Sequence, residues 1–87
     1  MDEPLFAAIR RIAADVFGVP VDQITPASSH DSIENWDSIH HLNLVLSLEH
    51  AFSVQFEPEQ IQQMLSIDLV VRQVREAMAR RDAGTSR

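Results

Sequence analysis

Ser38 has the widest range of chemistry open to it in this 87-residue chain, because Asp37-Ser38 stands at the start of an apolar run with helical spacing. Three of the four histidines, His40, His41 and His50, lie in the same run. A serine becomes a nucleophile when a base lies within reach and donors face the developing oxyanion. His40 and His41 instead project away around the helix, and neither a glycine-rich elbow nor an oxyanion arrangement accompanies Ser38. A metal site is equally poorly served, since two imidazoles converge on one ion from i and i+4, a spacing these histidines lack. With no cysteine in the chain, any thiol must be imported. The residues therefore argue against a catalyst and against a metal centre. They leave a hydroxyl at a helix start, either an ordinary N-cap or a point of modification.

The elements that position Ser38 follow from apolar periodicity. Leu5, Ile9, Ile12 and Val16 keep one helical face from about Pro4 to Phe17, widened by Phe6, Ala13 and Phe17, and Gly18 with Pro20 ends it. A polar stretch from Val19 to Asp37 follows, containing Thr25-Pro26 and the loop serines Ser28, Ser29 and Ser32. Val19, Val21, Ile24 and Ile33 punctuate it, so this long loop is expected to be functional, packed down by its own apolar residues, or both. The second helix, about Ser38 to Phe52, carries two apolar stripes. Leu44, Val45, Leu48 and Phe52 share one side, while Ile39, Leu42 and Leu46 share the other, flanked by Glu49. A small bundle buries one stripe, so the second is covered by the loop or kept for a partner. Val54 and Phe56 are expected to point inward. Pro58 suits the first turn of a brief third helix containing Ile61, Met64 and Leu65, and Ser66 reads as the N-cap of a fourth with Ile67, Val71, Val74 and Met78 on one face. Residues 1–81 make one domain and 82–87 a disordered tail.

The charge is distributed unevenly. Lysine is absent, no arginine lies between Arg11 and Arg72, and nine carboxylates fall in that interval, within a net charge of −6. Such a field repels nucleic acid and favours basic protein partners. No segment is apolar enough to span a bilayer, and the N-terminus is acidic where a signal peptide would be basic. A soluble, cytoplasmic, monomeric protein is expected.

Trp36-Asp37-Ser38-Ile39 resembles the phosphopantetheine attachment site of acyl and peptidyl carrier proteins. The resemblance runs from about Ile9 to Met78: a helix ending Phe17-Gly18-Val19, a loop with Ile24-Thr25-Pro26, a second helix ending Leu48-Glu49-His50-Ala51-Phe52, and the Ser66-Ile67 start of the fourth. It implies an all-α, right-handed, four-helix acyl-carrier-protein-like bundle with a long loop between helices 1 and 2 and a short third helix. It further implies that Ser38 bears 4'-phosphopantetheine, esterified by a phosphopantetheinyl transferase from coenzyme A with Mg²⁺, and that cargo rides as a thioester. Asp37 would then help position the transferase's metal or orient the serine. Ile39, Leu42, Leu46 and Glu49 would form the docking surface, and Leu44, Val45, Leu48, Phe52, Met64 and Val71 could line an acyl chain, though each also reads as ordinary core.

Two departures stand out. Asn35 replaces the small residue that often opens the motif, although asparagine tolerates the left-handed backbone glycine allows. His40, His41, Asn43 and His50 stand on a helix that is rich in carboxylates in fatty-acid carriers, so partners with basic patches should fit it differently. The expectation is a freestanding, specialised carrier of fatty-acid or polyketide type, serving acyl-transferring, ligase or synthase enzymes. The alternatives are an aminoacyl or peptidyl carrier, or an unmodified four-helix interaction module. Trp36 is expected to be a packing anchor for the loop.

Overall fold

The computed structural model describes residues 3–29 and 31–85. Among the described residues four helices follow in order, α1 (Glu3–Phe17), α2 (Ser38–Phe52), α3 (Pro58–Gln62) and α4 (Ile67–Thr85), with a 3-10 turn at Val21–Gln23 inside the long loop. The all-helical expectation holds; pairing of extended backbone among the described residues is limited to an isolated bridge between Ser29 and Ser66. Helix α1 packs on both α2 and α4. Ile9, Ala13 and Phe17 from α1, Leu44, Val45 and Leu48 from α2, and Ile67, Val70, Val74 and Ala77 from α4 close one core. Val54 and Phe56 point into it as the spacing required.

Helices α1 and α2 end alike. The Val19 N–H donates to the Ala14 carbonyl (3.1 Å), the Val54 N–H donates to the Glu49 carbonyl (3.1 Å), and the residue just before each donor is left-handed. At the end of α1 that residue is Gly18, at φ 69°; at the end of α2 it is Ser53, at φ 54°. This ending satisfies carbonyls that the helix leaves unpaired, and glycine alone adopts it without steric cost. Ser53→Gly should therefore raise stability by about 1 kcal/mol, relieving the left-handed serine, and the urea midpoint would read the gain. An unchanged or lower midpoint would show that Ser53 is not strained.

The N-terminus of α4 differs from the sequence expectation. The N–H groups of Ile67 and Asp68 donate to the loop carbonyls of Ser28 and Pro26, both at 2.9 Å, while the Ser66 hydroxyl bonds the Asp68 carboxylate. Ser66 thus precedes the helix, and its carbonyl accepts from Val70 (2.9 Å), but the capping is done largely by loop backbone. Ser28 is correspondingly no ordinary loop serine. It is buried, its Oγ accepts from the Thr25 N–H (2.9 Å), and it fixes the turn whose carbonyl receives Ile67. Ser29 and Ser32 also bond one another, the Ser29 N–H donating to Ser32 Oγ at 2.9 Å.

Two boundaries also shift. Helix α3 stops at Gln62, so Met64 and Leu65 lie beyond it: the Met64 N–H turns back to the Ile61 carbonyl, Met64 enters the core and Leu65 faces solvent. Helix α4 continues through Thr85, so residues 82–85 extend the helix where a tail is expected from the sequence; residues 86–87 lie outside the described residues. Three glutamines join α3 to α4. Gln60 Oε1 accepts the Glu57 N–H, its amide donates to Gln73 Oε1, and the Gln73 amide donates to Gln63 Oε1, each link fixing the orientation of the next. Arg81 reaches back from α4 to the Phe52 carbonyl and ties down the end of α2.

Candidate functional site

Asp37, not Ser38, caps α2. Its backbone is extended (φ −101°, ψ −172°), its carboxylate accepts the His40 N–H at 2.9 Å, and its carbonyl accepts the His41 N–H at 2.8 Å. Reading Ser38 as the N-cap is thereby overturned: it is the first helical residue. Its side chain is exposed, with no hydrogen bond to its hydroxyl among the described residues. The chain has placed a cap immediately before the serine, which spares the hydroxyl from that duty.

The same Asp37 oxygen meets His40 Nδ1 at 2.8 Å. The His40 backbone N–H, then its side-chain hydrogen bond and its charge, hold the Asp37 carboxyl below its ordinary value of 3.8. A lowered folded-state value means that Asp37 stabilises the fold fully above the ordinary carboxylate range, and that this contribution fades as pH falls through the lower folded value. Asp37→Ala should therefore lower the urea midpoint at neutral pH, and the gap from wild type should narrow below pH 3.8. A gap independent of pH would contradict an ionised cap.

Behind this turn, Trp36 is 3% exposed. Its ring lies 5.0 Å from Phe17 of α1, and its indole N–H donates to His41 Nδ1 at 2.9 Å. Because indole can only donate, His41 Nδ1 is the acceptor; the protonated Nε2 then donates to the Ile61 carbonyl at 3.0 Å. One side chain thus links the loop, α2 and the end of α3. Asn35 departs from expectation: Ser53 is the one non-glycine residue at positive φ among the described residues, so Asn35 is not left-handed. Its side-chain amide instead donates to the Phe17 carbonyl at the end of α1, at 2.7 Å. Arg10 pins the loop similarly, its Nε donating to the Val21 carbonyl at 2.9 Å.

Around Ser38 the surface forms an open hollow of about 510 Å³ lined by Asp37, Ser38, His41 and Leu42. From there the outer stripe of α2 runs away exposed, Ile39 at 69%, Leu42 at 55% and Leu46 at 61%, so the long loop does not cover it. Glu49 is half-buried, and its Oε2 accepts the Phe56 N–H at 3.0 Å, a bond the sequence reading did not foresee. The inner stripe belongs to the core: Leu44, Leu48 and Met64 are fully buried, Val45 and Val71 nearly so, and Phe52 packs against them. No helix among the described residues is long and apolar enough to cross a membrane.

A small helical bundle that offers an exposed serine hydroxyl at a helix start, above an exposed apolar stripe, has the form of a carrier module. The family model for the phosphopantetheine attachment site matches residues 7–74, and the chain belongs to that family, the acyl carrier proteins. It is 33% identical over 69 residues to an acyl carrier protein of Coprothermobacter proteolyticus, covering 79% of this chain and 84% of that one. It is 28% identical over 69 residues to an acyl carrier protein of Rubrobacter xylanophilus, covering 79% and 85%. The solution structure of the holo acyl carrier protein from Geobacter metallireducens superposes with a TM-score of 0.83 at 26% identity, covering 97% of each chain. Members of this family are carriers, and their prosthetic group is covalently attached phosphopantetheine. The residues at the start of α2 fit such a group: attachment needs an accessible hydroxyl with room beside it, and Ser38 has both.

Proposed function

We propose that Ser38 is the attachment point of the 4'-phosphopantetheine arm, and that the protein is a specialised acyl carrier and not an enzyme. The observation that carries this reading is the exposed Ser38 hydroxyl, without a hydrogen bond among the described residues, directly after the Asp37 cap and inside the matched region. When attached, the arm supplies the thiol that this cysteine-free chain lacks. In the modification, the Ser38 oxygen forms the new phosphodiester, the pyrophosphate of coenzyme A breaks, adenosine bisphosphate leaves, and the serine proton passes to the transferase. Asp37 stays ionised at neutral pH and keeps the serine at the first helical position while remaining accessible to a transferase's metal. Ile39, Leu42 and Leu46 offer partners an apolar docking strip, with Glu49 at its flank. Because His40, Asn43 and His50 occupy positions where a carboxylate would attract a basic patch, this strip suits partners that dock chiefly by apolar contact.

Intact mass measured after incubation with coenzyme A, Mg²⁺ and a broad-specificity phosphopantetheinyl transferase tests the proposal. A gain of one phosphopantetheinyl group, mapped by fragmentation to Ser38, is expected. Folded protein that gains nothing across several transferases would favour an unmodified interaction module.

A further inference from the structure

His41 stands where the sequence pattern calls for an apolar residue. Counting along α2, His41, Leu44, Val45 and Leu48 follow i, i+3, i+4 and i+7, so the histidine is the first member of the buried stripe. It also lines the hollow beside Ser38. Any chain tethered at Ser38 and heading from that hollow toward Leu44 and Met64 must pass it. Both ring nitrogens are held, Nδ1 by the Trp36 indole N–H and Nε2 by the Ile61 carbonyl, so the ring bridges α2 to the loop on one side and to the end of α3 on the other. Admitting an alkyl chain would part α2 from α3 and break both of these imidazole hydrogen bonds, a cost that an apolar residue at this position would not carry.

We propose that His41 is a specificity-determining residue that shuts the core to cargo, so that this carrier holds its acyl group outside the bundle, in the hollow lined by Asp37, His41 and Leu42. This rests on the carrier reading above and narrows it: the cargo class is short-chain or polar acyl groups, which gain little from an apolar interior. Long alkyl cargo would remain on the exposed Leu42 and Leu46 side and stay open to water.

The test loads wild type, His41→Leu and Trp36→Phe with acetyl-, butyryl-, octanoyl- and dodecanoyl-coenzyme A through the transferase, and confirms each load by intact mass. Two signals are then read: the methyl resonances of Leu44, Leu48 and Met64, and the thermal midpoint. In wild type both should be indifferent to chain length. In His41→Leu the methyl resonances should move and the midpoint should climb from butyryl to dodecanoyl. Trp36→Phe keeps the ring packing, removes the donor that holds Nδ1, and should show the same trend more weakly; it serves alone if His41→Leu does not fold. A purely structural role for His41 would change the midpoint by the same amount at every chain length. Chain-length-dependent core shifts in wild type, or variants as indifferent as wild type, would overturn the proposal. Failure of any species to gain mass would overturn the carrier reading, and this one with it, a result distinct from loading followed by insertion.

Discussion

Ser38→Ala is expected to fold as the wild type does, with a urea midpoint close to unchanged, and to gain no mass from transferase and coenzyme A. The first half follows from geometry. The hydroxyl is exposed and makes no side-chain bond among the described residues, and the cap that a serine here might supply is already provided by Asp37. Exposed substitutions of this kind usually change stability by less than about 0.5 kcal/mol, and alanine is the better helix former. The second half follows because other hydroxyls are poorly placed to substitute. Ser28 is buried in its own turn, and Ser29 and Ser32 are bound to each other. The loss should therefore be complete and free of any structural cost. Asp37→Ala provides the contrast, since it removes the cap and leaves the hydroxyl: it should lower stability and slow modification without abolishing it. A mass gain that persists in folded Ser38→Ala would relocate the attachment point and sink the assignment.

How far the sequence disclosed this arrangement depends on whether the signal was local. Both ends of α2 were legible because periodicity acts within a few residues, Ser38 at the start and Phe52 before a polar break, although the cap itself is Asp37 and not Ser38. The division of its faces was equally plain, since Leu44, Val45 and Leu48 had to be buried together and Ile39, Leu42 and Leu46 had to share the opposite side. What stayed hidden involves partners distant in sequence. The amides of Ile67 and Asp68 are satisfied by carbonyls some forty residues earlier, and no residue type announces a backbone acceptor. Asn35 suggests a left-handed turn by its backbone tolerance, yet it acts through a side-chain bond to Phe17, reached only once α1 and the loop are packed. Met64 and Leu65 looked like continuation of α3 because apolar residues extend a periodic pattern whether or not the helix does; here the turn at Gln63 sends one inward and leaves the other exposed. His41 carried a usable signal, a polar residue at the head of an apolar stripe, but its meaning required the indole and the carbonyl that hold it.

Trp36→Ala should destabilise the protein more than any change at the surface of the site. The indole is almost wholly buried, packs at a tilt against Phe17 and bonds His41, so truncation removes a large packed volume and takes from the imidazole the indole donor. Emptying an aromatic site costs about 3–5 kcal/mol, and a domain of this length has roughly 4–13 kcal/mol in all. The variant should thus lose a large share of its stability, read as a steep fall in urea midpoint, and its apparent modification should decline with the folded fraction. Trp36→Phe separates the contributions: it retains the ring against Phe17 and forfeits only the N–H, so its loss should be nearer the net value of one hydrogen bond, about 1 kcal/mol, plus the cost of an unpaired His41 nitrogen. Were Trp36→Phe to fall as far as Trp36→Ala, the indole–imidazole bond, and not the packing, would dominate. Were Trp36→Ala mild, the loop would be held chiefly by Asn35, Arg10 and the backbone bonds to α4, and the wall behind Ser38 would not depend on the indole.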